Sequence, residues 1–381
     1  MTTVTLDTEF MQQLKDYGIH DVADCFNCGS CVGACPLSGM ESGFPRRLIR
    51  RAQLGLTDFE DGATWACATC NACVQQCPRD VKILALMKSL RKIVITTGAG
   101  YMPKSLHQAM LNITTVGNPF GEPAEKRGSW AIDKGVPIFT ADMELLLFLG
   151  CFAGYDPLVR KTASAVVDVL KKAGIPFGIL GSEECCCGES VNKSGNEELF
   201  NKLAARNIET FQKHGIKRIL TISPHCYSTF KEEYPLLGGE FEVLHYTEYF
   251  AKLIKEGRIR LSRNIDSKVT YHDPCHLGRY NSIYNEPREL LRSIPGLELV
   301  EMPFTQGNSL CCGGGGGGIW REIEKEKRLS DKRLDQASKT GANTLAVACP
   351  FCKVNLEGSN MTSSQECVDV KDIAELILEA I

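Results

Sequence analysis

Residues 145–154 read LLLFLGCFAG, and residues 269–278 read VTYHDPCHLG. Each is a short apolar run ending in a cysteine, Cys151 in the first and Cys275 in the second, 124 residues apart. A similar offset carries the rest of the second half of the chain onto itself. CCCGES (185–190) aligns with CCGGGG (311–316), RILTISPHC (218–226) with NTLAVACPFC (343–352), and HYTEYFAKLIKEG (245–257) with VDVKDIAELILEAI (368–381). Residues 141–381 therefore read as two copies of one unit, 141–262 and 263–381. In the first copy Val159, Ala163, Val166 and Leu170 make one apolar helix face, and Gly174 stops that helix. The order predicted for each copy is strand, helix, strand, Cys-Cys-Gly turn, helix, strand, helix. Short apolar strands alternating with helices imply a parallel sheet covered by helices. The cysteines then fall at the C-terminal ends of strands, where open α/β sheets place their sites.

Cysteine is the outlier in an otherwise ordinary globular composition, with 19 in 381 residues. The 46 acidic and 43 basic residues leave a net charge of -3, which supplies no positive field for nucleic acid or anionic lipid. The opening MTTVTLDTEFMQQLKD has no apolar segment of a secretory signal. The longest apolar run, Leu145 to Gly154, is too short to span a bilayer. The expected location is cytoplasmic, or peripheral to the inner membrane face through a partner. Clustered thiols in a reducing compartment point to metal ligation rather than disulfides.

Upstream, residues 1–100 carry two matching runs, Cys25-x2-Cys28-x2-Cys31-x3-Cys35-Pro36 and Cys67-x2-Cys70-x2-Cys73-x3-Cys77-Pro78. This is the spacing of bacterial two-cluster ferredoxins, in which the fourth cysteine of each run serves the other cluster. Cys25, Cys28, Cys31 and Cys77 are expected to hold one [4Fe–4S] cubane, and Cys67, Cys70, Cys73 and Cys35 the second. Between the runs, FPRRLIRRAQLG reads as a helix. Its Arg46, Arg47, Arg50 and Arg51 form either a solvated face or a docking surface for an acidic redox partner. Residues 101–140, rich in Pro and Gly, read as a linker.

Residues 20–95 resemble the small iron–sulfur subunit of heterodisulfide reductase, through CFNCGSCVGACP, RLIRRAQLGL, WACATCNACVQQCP and ILALMKSLRKI. The Cys-Cys-Gly repeats resemble the catalytic subunit of the same family, so the chain is similar to a fusion of the two. The fold implied is α/β: an α-helical ferredoxin-type domain with two [4Fe–4S] clusters, then two pseudo-symmetric Cys-Cys-Gly repeats with parallel sheets. In that family five cysteines of a repeat hold a non-cubane [4Fe–4S] cluster that reduces a disulfide. Cys275, Cys311, Cys312, Cys349 and Cys352 complete the set in the second repeat, making them the expected catalytic centre. The run from Gly313 and Gly314 to Gly318 is expected to bring backbone N–H groups to the cluster. The first repeat offers Cys151, Cys186, Cys187 and Cys226, with Ser223 where the second has Cys349, and an additional Cys185. Four thiolates there suit a further [4Fe–4S] cluster or zinc.

Around Cys275 the sequence is His272-Asp273-Pro274-Cys275-His276, and either histidine, His276 in particular, is a candidate proton donor to a leaving thiolate. His225, in the turn before Cys226, faces the same choice. Arg279 and Tyr280 are candidate binders of an anionic substrate group. Cys367 reads as a buried structural thiol. No dinucleotide or Walker motif is present, so a flavin must come from elsewhere. The expected partners are a flavin-containing heterodisulfide reductase-like subunit or an FAD-linked oxidase, with a membrane cytochrome as a further one. The function expected is an oxidoreductase subunit. It passes electrons from a flavoprotein to a disulfide-reducing centre, or serves as an iron–sulfur subunit of a glycolate or lactate oxidase, or as a pure electron relay.

Overall fold

The computed structural model describes residues 7–39, 43–56, 62–98, 100–362 and 368–381; Cys367 lies outside them. Residues 141–381 form two four-stranded sheets, every pairing parallel. The first contains β1 (Leu145–Phe148), β2 (Phe177–Gly178), β3 (Arg218–Thr221) and β4 (Glu242–His245), in the order β2-β1-β3-β4. The second contains β5 (Ser267–Tyr271), β6 (Leu297–Val300), β7 (Thr344–Val347) and β8 (Asp369–Asp372), in the order β6-β5-β7-β8.

Each copy thus has four strands, one more than the sequence predicts. The additional strands, β4 and β8, immediately precede the last helix of their copies. They are four residues long, lie at a sheet edge and carry polar residues, so they lack the apolar run that marks β1 or β7. Strands β1 and β7 are buried at every position because helices cover both faces. The connections run outward from β1 to β2 and return over β1 to β3. The crevice at the carboxyl ends of β1 and β3, and likewise of β5 and β7, is the topological switch point of its sheet.

The repeats meet through helices. Thr162, on helix Pro157–Lys172 of the first repeat, donates to Glu375 on helix Ile373–Ala380 of the second at 2.6 Å. Lys353, on helix Pro350–Thr362 and 2% exposed, completes the buried group by pairing with Glu375. Lys353→Met keeps the packing of the stem but leaves the carboxylate without its cation. Because Glu375 keeps some solvent contact, we expect a loss of about 2–3 kcal/mol, somewhat less than for a fully buried pair. Urea unfolding measures it, and a loss below ~0.5 kcal/mol would refute the argument.

The ferredoxin-type part is helical. Helix Arg46–Gln53 buries Leu48, Ile49 and Ala52 and turns Arg46, Arg47 and Arg50 outward. Residues 101–140 are more than a tether. Helix Lys104–Val116 starts after Pro103, ends at Gly117 with φ +71°, and buries Leu106, Ala109, Met110 and Ile113. Ile138 then bridges Ile179 beside β2. A Pro- and Gly-rich composition marked the ends of these elements and hid the apolar face between them. No helix among the described residues is long and apolar enough to cross a membrane.

Candidate iron–sulfur sites

The structure gathers Cys25, Cys28, Cys31 and Cys77 around one small cavity. It gathers Cys35, Cys67, Cys70 and Cys73 around another. Each cysteine run turns into a short helix, Ser30–Ala34 or Ala72–Gln75, after a left-handed residue, Gly29 or Asn71. That turn aims three thiols inward, and the last cysteine leaves the helix toward the neighbouring cavity. The first site is open: Cys28 is exposed and the adjacent Phe26 is 61% exposed. The Ser30 hydroxyl and backbone N–H groups lower the Cys28 pKa. In the second site, burial pushes Cys35 up to about 12. A buried thiol of that kind is held as a thiolate only by a nearby cation, which is what a bound metal cluster supplies.

The second site abuts the second repeat. Cys70 hydrogen-bonds Cys311. Arg279, 5% exposed, donates to Cys70 O at 2.6 Å and to Ser309 O at 2.7 Å, while Tyr280 donates to Thr69 O at 2.7 Å. Arg279 and Tyr280 are therefore joints between the two domains: Arg279 Nε and Nη1 and the Tyr280 hydroxyl donate to backbone carbonyls. Arg91, which no motif singles out, is fully buried and donates to Thr64 O, Cys67 O, Lys193 O and Gly316 O, tying three parts of the chain together.

In the second repeat Cys275, Cys311, Cys312, Cys349 and Cys352 converge, all buried. Cys352 Sγ lies 3.3 Å from Cys312 Sγ, and Cys311 hydrogen-bonds both Cys275 and Cys312. Hydrogen bonds from Cys311 and Cys352 outweigh burial and hold the Cys312 pKa well below the ordinary thiol value. Burial pushes Cys349 up, but hydrogen bonds from Cys352 and His225 bring it down to about 6. A cavity of about 840 Å³ reaches Cys312 from outside, lined also by Ala68, Gly313, Arg321 and Asn355. The set thus combines close thiols, stabilised thiolates and an approach for a ligand, as an open iron–sulfur centre requires.

The glycine run divides its work. The Gly313 N–H donates to Cys311 Sγ at 3.3 Å, and Gly188 does the same for Cys186 in the first repeat at 3.4 Å. Gly315 and Gly316 do something the sequence did not suggest. A Cβ on them would stand 2.4 Å from Ala68 O and 2.6 Å from Cys67 O, so glycine there permits close docking of the ferredoxin-type domain. Gly314 packs beside Phe351 and Asn355.

The first repeat brings Cys151, Cys186, Cys187, Cys226 and Ser223 around one cavity of about 40 Å³. Cys185 turns away and contacts Asn207 Oδ1 at 3.2 Å. Arg127, from the stretch read as linker, pairs with Glu184 at 2.8 Å and reaches Cys151 Sγ at 3.4 Å. Glu184 in turn accepts the N–H groups of Leu149 and Gly150. Because Ser223 lines the cavity, Ser223→Cys should add a fifth thiolate without rearrangement. A change of the first-repeat spectrum toward that of the second repeat is expected; an unchanged spectrum with full metal loading would contradict the alignment.

His272 and His276 are both fully buried. His272 accepts from Arg333 Nε at 3.1 Å, lies within 4.8 Å of the Cys312 and Cys352 thiols, and is held below its ordinary pKa by burial. His276 lies 3.4 Å from Cys275 Sγ through Nδ1; burial and the neighbouring His225 push it down to about 4. The His225 and His276 rings stack, centroids 3.8 Å apart.

Two paired α/β units with cysteines at their switch points, behind a helical domain with two four-cysteine cavities, define an iron–sulfur oxidoreductase subunit. The cysteine-rich domain family matches residues 145–231 and 269–357, and the 4Fe-4S dicluster domain family matches residues 21–81. A subunit of the dihydromethanophenazine:CoB–CoM heterodisulfide reductase of Methanosarcina barkeri is 32% identical over all of this chain and 98% of its own length. The chain belongs to that family. The EtfAB:quinone oxidoreductase of Syntrophomonas wolfei is 35% identical over 98% of this chain, and the probable iron–sulfur-binding oxidoreductase FadF of Bacillus subtilis is 37% identical over 83%. The chain spans 60% and 46% of the lengths of those two relatives. A solved structure of a hypothetical protein from Helicobacter pylori shares the fold, with a TM-score of 0.52 at 9% identity over 98% of this chain and 73% of its own.

Proposed function

We propose that this subunit passes electrons from a flavoprotein through two cubane clusters to a non-cubane [4Fe–4S] centre in the second repeat, which reduces a disulfide or oxidises a thiol pair. The observation that carries the reading is a continuous line of thiols. It begins at exposed Cys28, passes to half-buried Cys35 and buried Cys67, Cys70 and Cys73, reaches Cys311 beside Cys70 and ends at Cys312 beside the large cavity. Cys25, Cys28, Cys31 and Cys77 would hold the first cubane, Cys35, Cys67, Cys70 and Cys73 the second. The residues of the second repeat would hold the centre at which a substrate sulfur meets iron. The chain's own part in the chemistry is to exclude water around five buried cysteines, to donate the Gly313 N–H to Cys311, and to hold the neutral His272 against Cys312. Arg46, which lines the first cavity, and its exposed neighbours Arg47 and Arg50 supply a basic face for an acidic flavoprotein.

A second reading takes the same line of clusters as a relay with no substrate of its own. The similarity to an EtfAB:quinone oxidoreductase favours it, with EtfAB and a quinone as the redox partners. A membrane cytochrome or quinone would then bring the protein to the membrane face. Iron and thiol response separate these readings from each other and from a bare scaffold. Anaerobically purified protein should contain well over the eight or so iron atoms that two cubanes require. A content at or below that number would remove the repeats from the electron path.

A further inference from the structure

One cluster of metal-binding side chains contains no cysteine, although two of its members, Glu189 and His225, also line the cavity of the first repeat. Glu189 begins helix Glu189–Lys193, His225 lies on helix Pro224–Ser228, and His276 follows Cys275 in the second repeat. All three are at least nine-tenths buried, with 3%, 4% and 0% exposure. Glu189 Oε1 lies 3.1 Å from His225 Nδ1 and 3.2 Å from His276 Nε2. Neither contact has hydrogen-bond geometry, and these three atoms have no hydrogen-bond partner among the described residues. One ligand atom from each residue lies within 4.8 Å of the others.

The rings' remaining contacts explain why a cation belongs there. His276 Nδ1 faces Cys275 Sγ at 3.4 Å, and His225 lies beside Cys349. With His276 Nδ1 turned to sulfur, its Nε2 and the His225 Nδ1 both face one Glu189 carboxylate oxygen, so three ligand atoms meet in a space closed to solvent. Metal bonds of about 2.0–2.2 Å separate neighbouring ligand atoms by roughly 3 Å at a right angle and about 3.4 Å at the tetrahedral angle, which brackets the two contacts. The repeat fold does not demand this arrangement. At the pseudo-symmetric positions stand Gly314, Phe351 and Phe152, whose two rings pack at 5.0 Å in an apolar contact.

We propose that Glu189, His225 and His276 bind a single divalent ion of borderline softness, zinc or ferrous iron, between the cysteine sites of the two repeats. Two imidazoles and one carboxylate suit either ion. The ion would fix the two repeats to each other with a positive charge set beside both centres. The proposal does not depend on which acceptor the protein serves. Sulfide and iron contents report the clusters separately.

Anaerobically purified full-length protein is assayed for zinc, iron and acid-labile sulfide, and its zinc is examined by X-ray absorption. The expected result is one ion per chain beyond the iron matched by sulfide, with an imidazole and oxygen shell. If the ion is ferrous, Mössbauer spectroscopy shows it as one high-spin ferrous ion outside the clusters. Glu189→Gln, which keeps size and fold, should lose the ion with sulfide content unchanged. His276→Phe, which copies Phe152 of the other repeat, should do the same. Iron matched by sulfide with no zinc would overturn the proposal. So would zinc with a sulfur shell, which belongs to the first-repeat cysteines, or an ion retained in both variants.

Discussion

Cys312→Ala abolishes substrate turnover and the response of the oxidised centre to added thiol, while the two ferredoxin-type clusters still reduce with dithionite. Cys312, like Cys349, is held below its ordinary pKa, and of the five cysteines it is the one that borders the cavity of about 840 Å³. On the proposed reading, a substrate sulfur arriving through that cavity would meet Cys312 first. Removing the thiolate deprives the centre of a ligand on its open side, and activity should fall at least a hundredfold, on the scale of losing a group required in the reacting geometry. Cys187→Ala alters the corresponding position of the first repeat, whose cavity is far smaller. It should slow electron transfer and leave the thiol response in place. Electron paramagnetic resonance with and without thiol decides between them. Loss of the response in the Cys187 variant alone would assign the active centre to the first repeat, and absence of any response in the unmodified protein would favour the relay.

Glu184→Ala should be the most destabilising single change away from the cysteines. The Glu184 side chain is 0% exposed and its Arg127 partner 1%. Truncation strands the Arg127 guanidinium and frees the N–H groups of Leu149 and Gly150 that hold the turn before Cys151. Removing one member of a buried pair costs about 3–5 kcal/mol. The double variant Arg127→Met, Glu184→Leu removes the unpaired charge and should recover part of that loss. Recovery stays incomplete because the two backbone donors remain without acceptors. Urea unfolding of both variants measures the difference. A single variant within ~1 kcal/mol of the unmodified protein would show that solvent reaches this pair.

The grouping of the cysteines was readable from spacing because most of it is local. Three thiols on one short turn, or two adjacent thiols at a strand end, need only a few residues of chain to aim them. The repeat was readable because both copies kept the apolar strand ahead of Cys151 and Cys275. Strands β4 and β8 were not, because an edge strand carries no continuous apolar run. The stretch 101–140 misled for a different reason: its prolines and glycines read as linker composition but cap helices, and they drew attention from the i, i+3, i+4, i+7 face of Leu106, Ala109, Met110 and Ile113.

By itself, then, the sequence determined the type of unit, its duplication and the grouping of its cysteines, since these depend on side-chain type and short separations along the chain. Tertiary structure decided which groups face those sulfurs. Arg127 stands 24 residues from the Cys151 it approaches, Arg279 lies 209 residues from Cys70, and Glu189 meets a histidine from each repeat. No periodicity records such meetings. They arise when two separately folded sheets and a helical domain pack together, and each buried polar group must then find its partner on whatever surface is brought against it.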